Sequence, residues 1–266
     1  MTRLHAEAAG SGPPLVLLHG FTGTGAVWTP LATALGGRRR LVTLDLPGHG
    51  RSPAPPAGAD LASVADAAVA AVAGLGVARA AWLGYSLGGR VALQVALRHP
   101  ARVERLLLES ASPGIADASG RAARAAADDA LADAIVRDGV PAFVERWLAQ
   151  PLFATQTRLP DTVRAAERAR RLVNSAGGLA AALRAMTVGR QECVLGRLGA
   201  IRCPVLLVAG ADDAAYRAHA AAMVERLPDA RALVVPGAGH TPHLENPAAF
   251  HAAVEAFLAG AADAAA

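Results

Sequence analysis

Six short apolar runs, at residues 14–18, 41–46, 80–85, 103–109, 205–209 and 232–235, recur along this chain without the polar–apolar alternation of a half-solvated strand. A strand that is apolar throughout is buried on both faces, and the stretches between most of the runs carry helical periodicity. The pattern predicts a parallel sheet covered by helices on both sides. Helices are expected at 29–35, 61–75, 87–98, 216–227 and 248–259, with Asp60 and Asn246-Pro247 as N-terminal caps. At 266 residues the chain is long enough for one large core.

One interval breaks the rhythm. The ninety or so residues between the runs ending near Ser110 and starting near Pro204 show arginine-rich helical patterns and no strand signal. A stretch of that length is too long for a loop, so a helical lid inserted above the sheet is expected. The division read here is a core of residues 1–112 and 194–266 with a lid at 113–193. Residues 52–58, with three prolines, read as a surface connection without chemistry, and the alanine-rich tail at 259–266 is expected to fray.

Composition removes several function classes. The chain contains no lysine, so all 26 basic residues are arginine. Schiff-base chemistry and a phosphate-loop lysine are thereby excluded, while bidentate recognition of carboxylates is favoured. A net charge of +4 with dispersed arginines and 4% aromatic residues does not describe a nucleic-acid surface. No apolar run reaches the roughly 18 residues of a membrane span, and the first ten residues lack a signal-peptide core, so a cytoplasmic protein is expected, without membrane or nucleic-acid partners. Cys193 and Cys203 have neither metal-ligand spacing nor a nearby histidine and read as ordinary buried thiols, with no metal implied.

The strongest local signal is Gly84-Tyr85-Ser86-Leu87-Gly88-Gly89, between a predicted strand and a predicted helix. Small residues on either side of a serine permit the strained turn of a nucleophile elbow, which exposes Oγ at a helix N-terminus. Gly210-Ala211-Asp212-Asp213 and Gly237-Ala238-Gly239-His240 follow the last two strands. Serine, acid and histidine thus stand in the chain order of an α/β-hydrolase triad, each at the C-terminal end of a strand. Asp213, Asp212 and Glu109 are all candidates for the acid, and His240 is preferred to His243 as the base because of its Gly-x-Gly-His context. His19-Gly20-Phe21 follows the first strong strand, and the amides of Phe21 and Leu87 would together hold an oxyanion. His49 reads as structural, and His99, His219 and His251 as surface positions on helices. Arg90 lies one turn into the elbow helix, where it can lean back toward Ser86. Arg121 and Arg124 open the lid, and Arg164, Arg168 and Arg171 share one helical face, whose last member could point inward.

Beyond the triad, Asp45-Leu46-Pro47-Gly48-His49-Gly50, Tyr85 and Arg90 at the elbow, Ser112-Pro113-Gly114, Trp147 with Gln150-Pro151-Leu152-Phe153-Ala154, and His243-Leu244-Glu245-Asn246-Pro247 are also recognisable. Together these segments resemble the 2-succinyl-6-hydroxy-2,4-cyclohexadiene-1-carboxylate synthase (MenH) family over nearly the whole chain. The resemblance implies an α/β-hydrolase fold, with a mostly parallel central sheet flanked by helices and an inserted helical lid. It assigns the triad to Ser86, Asp213 and His240, carboxylate binding to Arg90, Arg124 and Arg171, and further substrate contacts to Tyr85 and Trp147. Leu148 stands where some members carry a second aromatic residue, and Asn174-Ser175-Ala176-Gly177 thins an asparagine-rich stretch. The implied reaction is elimination of pyruvate from a small tricarboxylate by proton abstraction, without metal or organic cofactor, in a monomer or weak homodimer. A carboxylesterase or C–C hydrolase is the competing enzyme class, and a noncatalytic ligand-binding module the competing non-enzyme.

Overall fold

The computed structural model describes residues 3–260. Seven strands form one sheet: β1 (Ala6–Ala9), β2 (Pro14–Leu18), β3 (Arg40–Leu44), β4 (Ala80–Tyr85), β5 (Val103–Glu109), β6 (Val205–Gly210) and β7 (Ala230–Val235). Their order is β1-β3-β2-β4-β5-β6-β7. Every pairing is parallel except β1 with β3. All six predicted strands are present, with ends shifted by two residues at most. The sequence reading missed β1, an exposed edge strand of four residues whose Ala-Glu-Ala-Ala offers no apolar run to detect.

The helices are α1 (Thr29–Leu35), α2 (Leu61–Gly74), α3 (Leu87–Arg98), α4 (Ala118–Leu148), α5 (Asp161–Leu172), α6 (Ala176–Met186), α7 (Ala214–Val224), α8 (Pro242–Glu245) and α9 (Pro247–Ala259). One face of the sheet packs Val16, Leu18, Trp82 and Leu106 against α2, α3 and α7. The other packs Leu15, Leu17, Leu83 and Leu107 against α1 and α9, with Trp28 and Phe250 wholly buried. Alternate residues of β2, β4 and β5 therefore supply both cores, which is why β2 and β4 carry no charged residue and β5 is apolar over Leu106, Leu107 and Leu108, with Glu104 and Arg105 at its less buried start. Asp60 accepts from the Ser63 amide in a reciprocal capping box, and Asn246 caps α9 through the Ala249 amide.

Between β5 and β6 the described chain is helical and irregular, without a strand. Its largest element, α4, is broken at Gly139 (φ 79°), a left-handed conformation that favours glycine, with Pro141 following. A separate cluster of Ile135, Phe143, Val144, Leu179 and Leu183 joins α4 to α6, and Phe21, from the loop after β2, packs against it. Asn174, the remnant of the asparagine-rich stretch, ties this insertion to the core. Its side-chain amide donates to the Thr22 carbonyl at 2.8 Å, and its carbonyl accepts from the Gly50 amide at 2.8 Å. The end of the tail, at 261–266, lies outside the described residues.

Candidate active site

The elbow between β4 and α3 forms because the residues two before and two after Ser86 lack side chains. A Cβ on Gly84 would run into the Gly88 carbonyl, and one on Gly88 into the carbonyls of Leu18 and His19. Ser86 itself holds φ 51° and ψ −108°, a strained conformation for a residue with a side chain. Its amide is anchored on the Glu109 carbonyl at 2.8 Å. The turn projects Ser86 Oγ to 3.2 Å from His240 Nε2, and His240 Nδ1 lies 2.9 Å from Asp213 Oδ2.

Each partner is positioned by its own loop. Asp213 is the N-cap of α7, accepting from the Tyr216 amide at 3.2 Å through Oδ1 while Oδ2 faces the imidazole. Glu245 grips the chain on both sides of His240, accepting from the Gly239 amide and the Thr241 amide, each at 2.9 Å. The sequence reading had named Glu245 only within the His243–Pro247 segment and without a role, and its spacing from His240 was the available signal. Leu87 opens α3, so its amide has no intrahelical acceptor, and Phe21 sits in the turn after β2 beside it. Both residues line the cavity in front of Ser86.

The alternatives for acid and base separate cleanly. Asp212 turns outward and pairs with Arg158 at 2.5 Å. Glu109 and His243 bond to each other instead: the buried carboxylate accepts from the His243 amide at 2.8 Å and lies 2.8 Å from its Nδ1. That pair sits behind Tyr85, whose ring packs against both histidines, 4.8 Å from His243 and 5.5 Å from His240 between centroids. His49 is fully buried against His19 and Phe21, as a structural residue would be. Burial pulls its pKa down to about 3, which keeps it neutral.

In front of Ser86 lies a cavity of about 420 Å³. Its wall on the insertion side is aromatic, with Trp147 5.4 Å from Phe21 and 5.8 Å from Phe153. Tyr85, Trp147, Arg90, Arg124 and Arg171 all line it. Arg90 donates through Nη1 to Gln191 at 2.9 Å, and burial pulls its pKa down to about 10. Arg124 is half-exposed and uses Nε to bind Asp128 at 2.9 Å. Asp128 is itself buried and also accepts from Thr187 at 2.5 Å. Arg171 is buried against Glu167 at 2.9 Å, with its guanidinium 5.9 Å from the centre of the Phe153 ring. The rest of its helical stripe faces outward, Arg164 on Asp161 and Arg168 on Glu145. Arg121 spends its guanidinium on the carbonyls of Ile115 and Ala116, at 3.0 and 2.6 Å.

Two sequence readings need correction. His219 is a lining residue of the cavity, because three residues beyond Tyr216 on α7 brings it to the same helical face. Cys193 and Cys203 are half-buried, because each sits in a loop flanking the sheet and not within it. Tyr216, Gln191, Asp128 and Thr187 also escaped the sequence reading. They reach the cavity or its arginines from α7 and the insertion, and no local motif marks them.

This arrangement brings together a hydroxyl and an imidazole, a carboxylate on that imidazole, and three arginines on the wall of one cavity. The family model for the α/β hydrolase fold matches residues 13–247. A Bacillus subtilis (strain 168) protein that carries the provisional name 2-succinyl-6-hydroxy-2,4-cyclohexadiene-1-carboxylate synthase is 38% identical, over 95% of this chain and 92% of its own. The 2-succinyl-6-hydroxy-2,4-cyclohexadiene-1-carboxylate synthase of Klebsiella pneumoniae (strain 342) is 36% identical over 93% of this chain and 94% of its own. The solved structure of MenH from S. aureus superposes with a TM-score of 0.92 at 29% identity, covering 96% of this chain and 98% of that one. The chain belongs to the α/β hydrolase fold family and, within it, to the 2-succinyl-6-hydroxy-2,4-cyclohexadiene-1-carboxylate synthases.

Proposed function

We propose that this enzyme eliminates pyruvate from 2-succinyl-5-enolpyruvyl-6-hydroxy-3-cyclohexene-1-carboxylate to give 2-succinyl-6-hydroxy-2,4-cyclohexadiene-1-carboxylate, a lyase step of menaquinone biosynthesis. The observation that carries this reading is the union of a Ser86–His240–Asp213 relay with three cavity-lining arginines in a chain of this family. The substrate presents three carboxylates around one acidic ring C–H. Each partly desolvated Arg–carboxylate bond contributes about 1.5–3 kcal/mol, so Arg90, Arg124 and Arg171 suit such a guest.

Ser86 Oγ takes the ring proton and passes its own to His240 Nε2, while Asp213 stabilises the imidazolium that results. The electron pair from the C–H bond delocalises into the succinyl carbonyl, whose developing oxyanion accepts from the Phe21 and Leu87 amides. The C–O bond to the enolpyruvyl group then breaks, the ring gains its second double bond, and enolpyruvate leaves, collects a proton and ketonises to pyruvate. The helical segment 113–193 acts as the lid that carries Arg124, Trp147 and Arg171 and excludes water. A trianionic substrate does not cross a bilayer unaided, which supports work in the cytoplasm. Among the described residues no helix is long and apolar enough to cross a membrane.

Ser86→Ala tests the reading. It is expected to lower pyruvate release by several decades, followed by ultraviolet loss of the enolpyruvyl substrate with stoichiometric pyruvate. Near-normal turnover would mean that His240 takes the proton directly. The same Ser86–His240 contact also suits attack on an ester carbonyl, which is the second reading. Rapid turnover of p-nitrophenyl acetate, with an acyl-enzyme accumulating, would favour it over the elimination.

A further inference from the structure

Tyr216 connects the base to the cationic part of the cavity. Its ring lies 4.4 Å from that of His240, centroid to centroid, and its backbone amide is held by the triad acid. His219, one turn further along α7, packs edge-on against the same ring at 5.4 Å, so the phenol is walled on two sides. Both side chains face the cavity. Arg90 and Arg124 line the same cavity, and burial, helped by the Asp213 carboxylate, raises the phenol's pKa against their opposing pull, so the hydroxyl stays protonated. Among the described residues no side chain takes up its proton in a hydrogen bond.

A protonated phenol on the wall of a cavity that Arg90 and Arg124 also line, and without an acceptor of its own, is a donor awaiting an anion. We propose that Tyr216 is a specificity-determining residue, its hydroxyl donating a hydrogen bond to the substrate carboxylate that Arg90 and Arg124 hold. The inference rests on the tricarboxylate reading above and adds a neutral donor to its cationic set. Such a donor matters because the arginines fix charge but are shared with Gln191 and Asp128, whereas the Tyr216 ring packs against His240 and His219 and its backbone amide is held by Asp213.

The test removes one oxygen. Tyr216→Phe keeps the ring that packs on His240 and deletes only the donor. In a Ser86→Ala background, which does not consume the ligand, calorimetric titration with the enolpyruvyl tricarboxylate is expected to show about tenfold weaker binding when Tyr216→Phe is added. In the otherwise wild-type enzyme the same change is expected in KM, with kcat moved by less than about twofold. An unchanged Kd overturns the proposal, as does a loss confined to kcat, which would mean that the hydroxyl acts on the transition state alone. Weaker binding with no pyruvate formed by the wild-type chain would uphold Tyr216 as a carboxylate contact while refuting the elimination.

Discussion

Arg90→Met isolates the contribution of a single buried cation. The methionine fills much of the volume of the aliphatic stem, and the backbone bond from the residue 90 amide to the Ser86 carbonyl, 3.1 Å, is unaffected. What disappears is a guanidinium that spends one nitrogen on Gln191 and lines the cavity with the rest. A charge-assisted bond to a carboxylate contributes about 1.5–3 kcal/mol, or roughly 10- to 150-fold in kcat/KM. Arg124 and Arg171 remain to hold the anion, so the lower part of that range is expected, about 10- to 40-fold. The assay is steady-state pyruvate release at saturating and limiting tricarboxylate, with p-nitrophenyl acetate as a neutral comparison. The effect should fall on the charged substrate, because the Ser86–His240–Asp213 geometry does not pass through Arg90. Equal losses on the two substrates, or none on either, would refute the reasoning.

Other outcomes test the surrounding scaffold. Asp213→Asn is expected to cost several decades in turnover because it removes the acceptor of His240 Nδ1, whereas Asp212→Asn breaks only an exposed pair with Arg158 and should stay within about twofold in the same assay. Acid stability should follow His49. Its folded pKa, near 3, lies below the ordinary 6.5, so the unfolded state binds the proton first. The associated stability is fully present above pH 6.5 and drains away as pH falls toward 3, by at most about 5 kcal/mol. Denaturant midpoints measured across pH 7 to 4 should show that decline, and a flat profile would contradict it.

The order of the strands' apolar runs, the elbow and the three triad segments were legible because each is local. A strand buried on both faces must be apolar at every position, and the elbow needs Gly84 and Gly88 beside Ser86 wherever it occurs. β1 was invisible for the opposite reason, since a short exposed edge strand is held by its pairing with β3 and not by burial. The arginines were legible as a composition and as a family likeness, but not as a site. Which of Arg164, Arg168 and Arg171 turns inward depends on how α5 lies over the sheet, and only Arg171 meets Glu167 and Phe153 in the interior.

Tertiary structure alone also settled how the acidic and basic candidates pair. Asp212 and Asp213 are adjacent in sequence, and Glu109 ends a strand as a catalytic acid could. The choice follows from direction: the N-cap geometry of α7 aims Asp213 at His240, while β5 presents Glu109 to His243 behind Tyr85. The residue types that this chemistry requires, and the loops that carry them, were written in the chain. Distances between side chains some 27 to 154 residues apart came only with folding, because they depend on how separate strands and helices pack around one sheet.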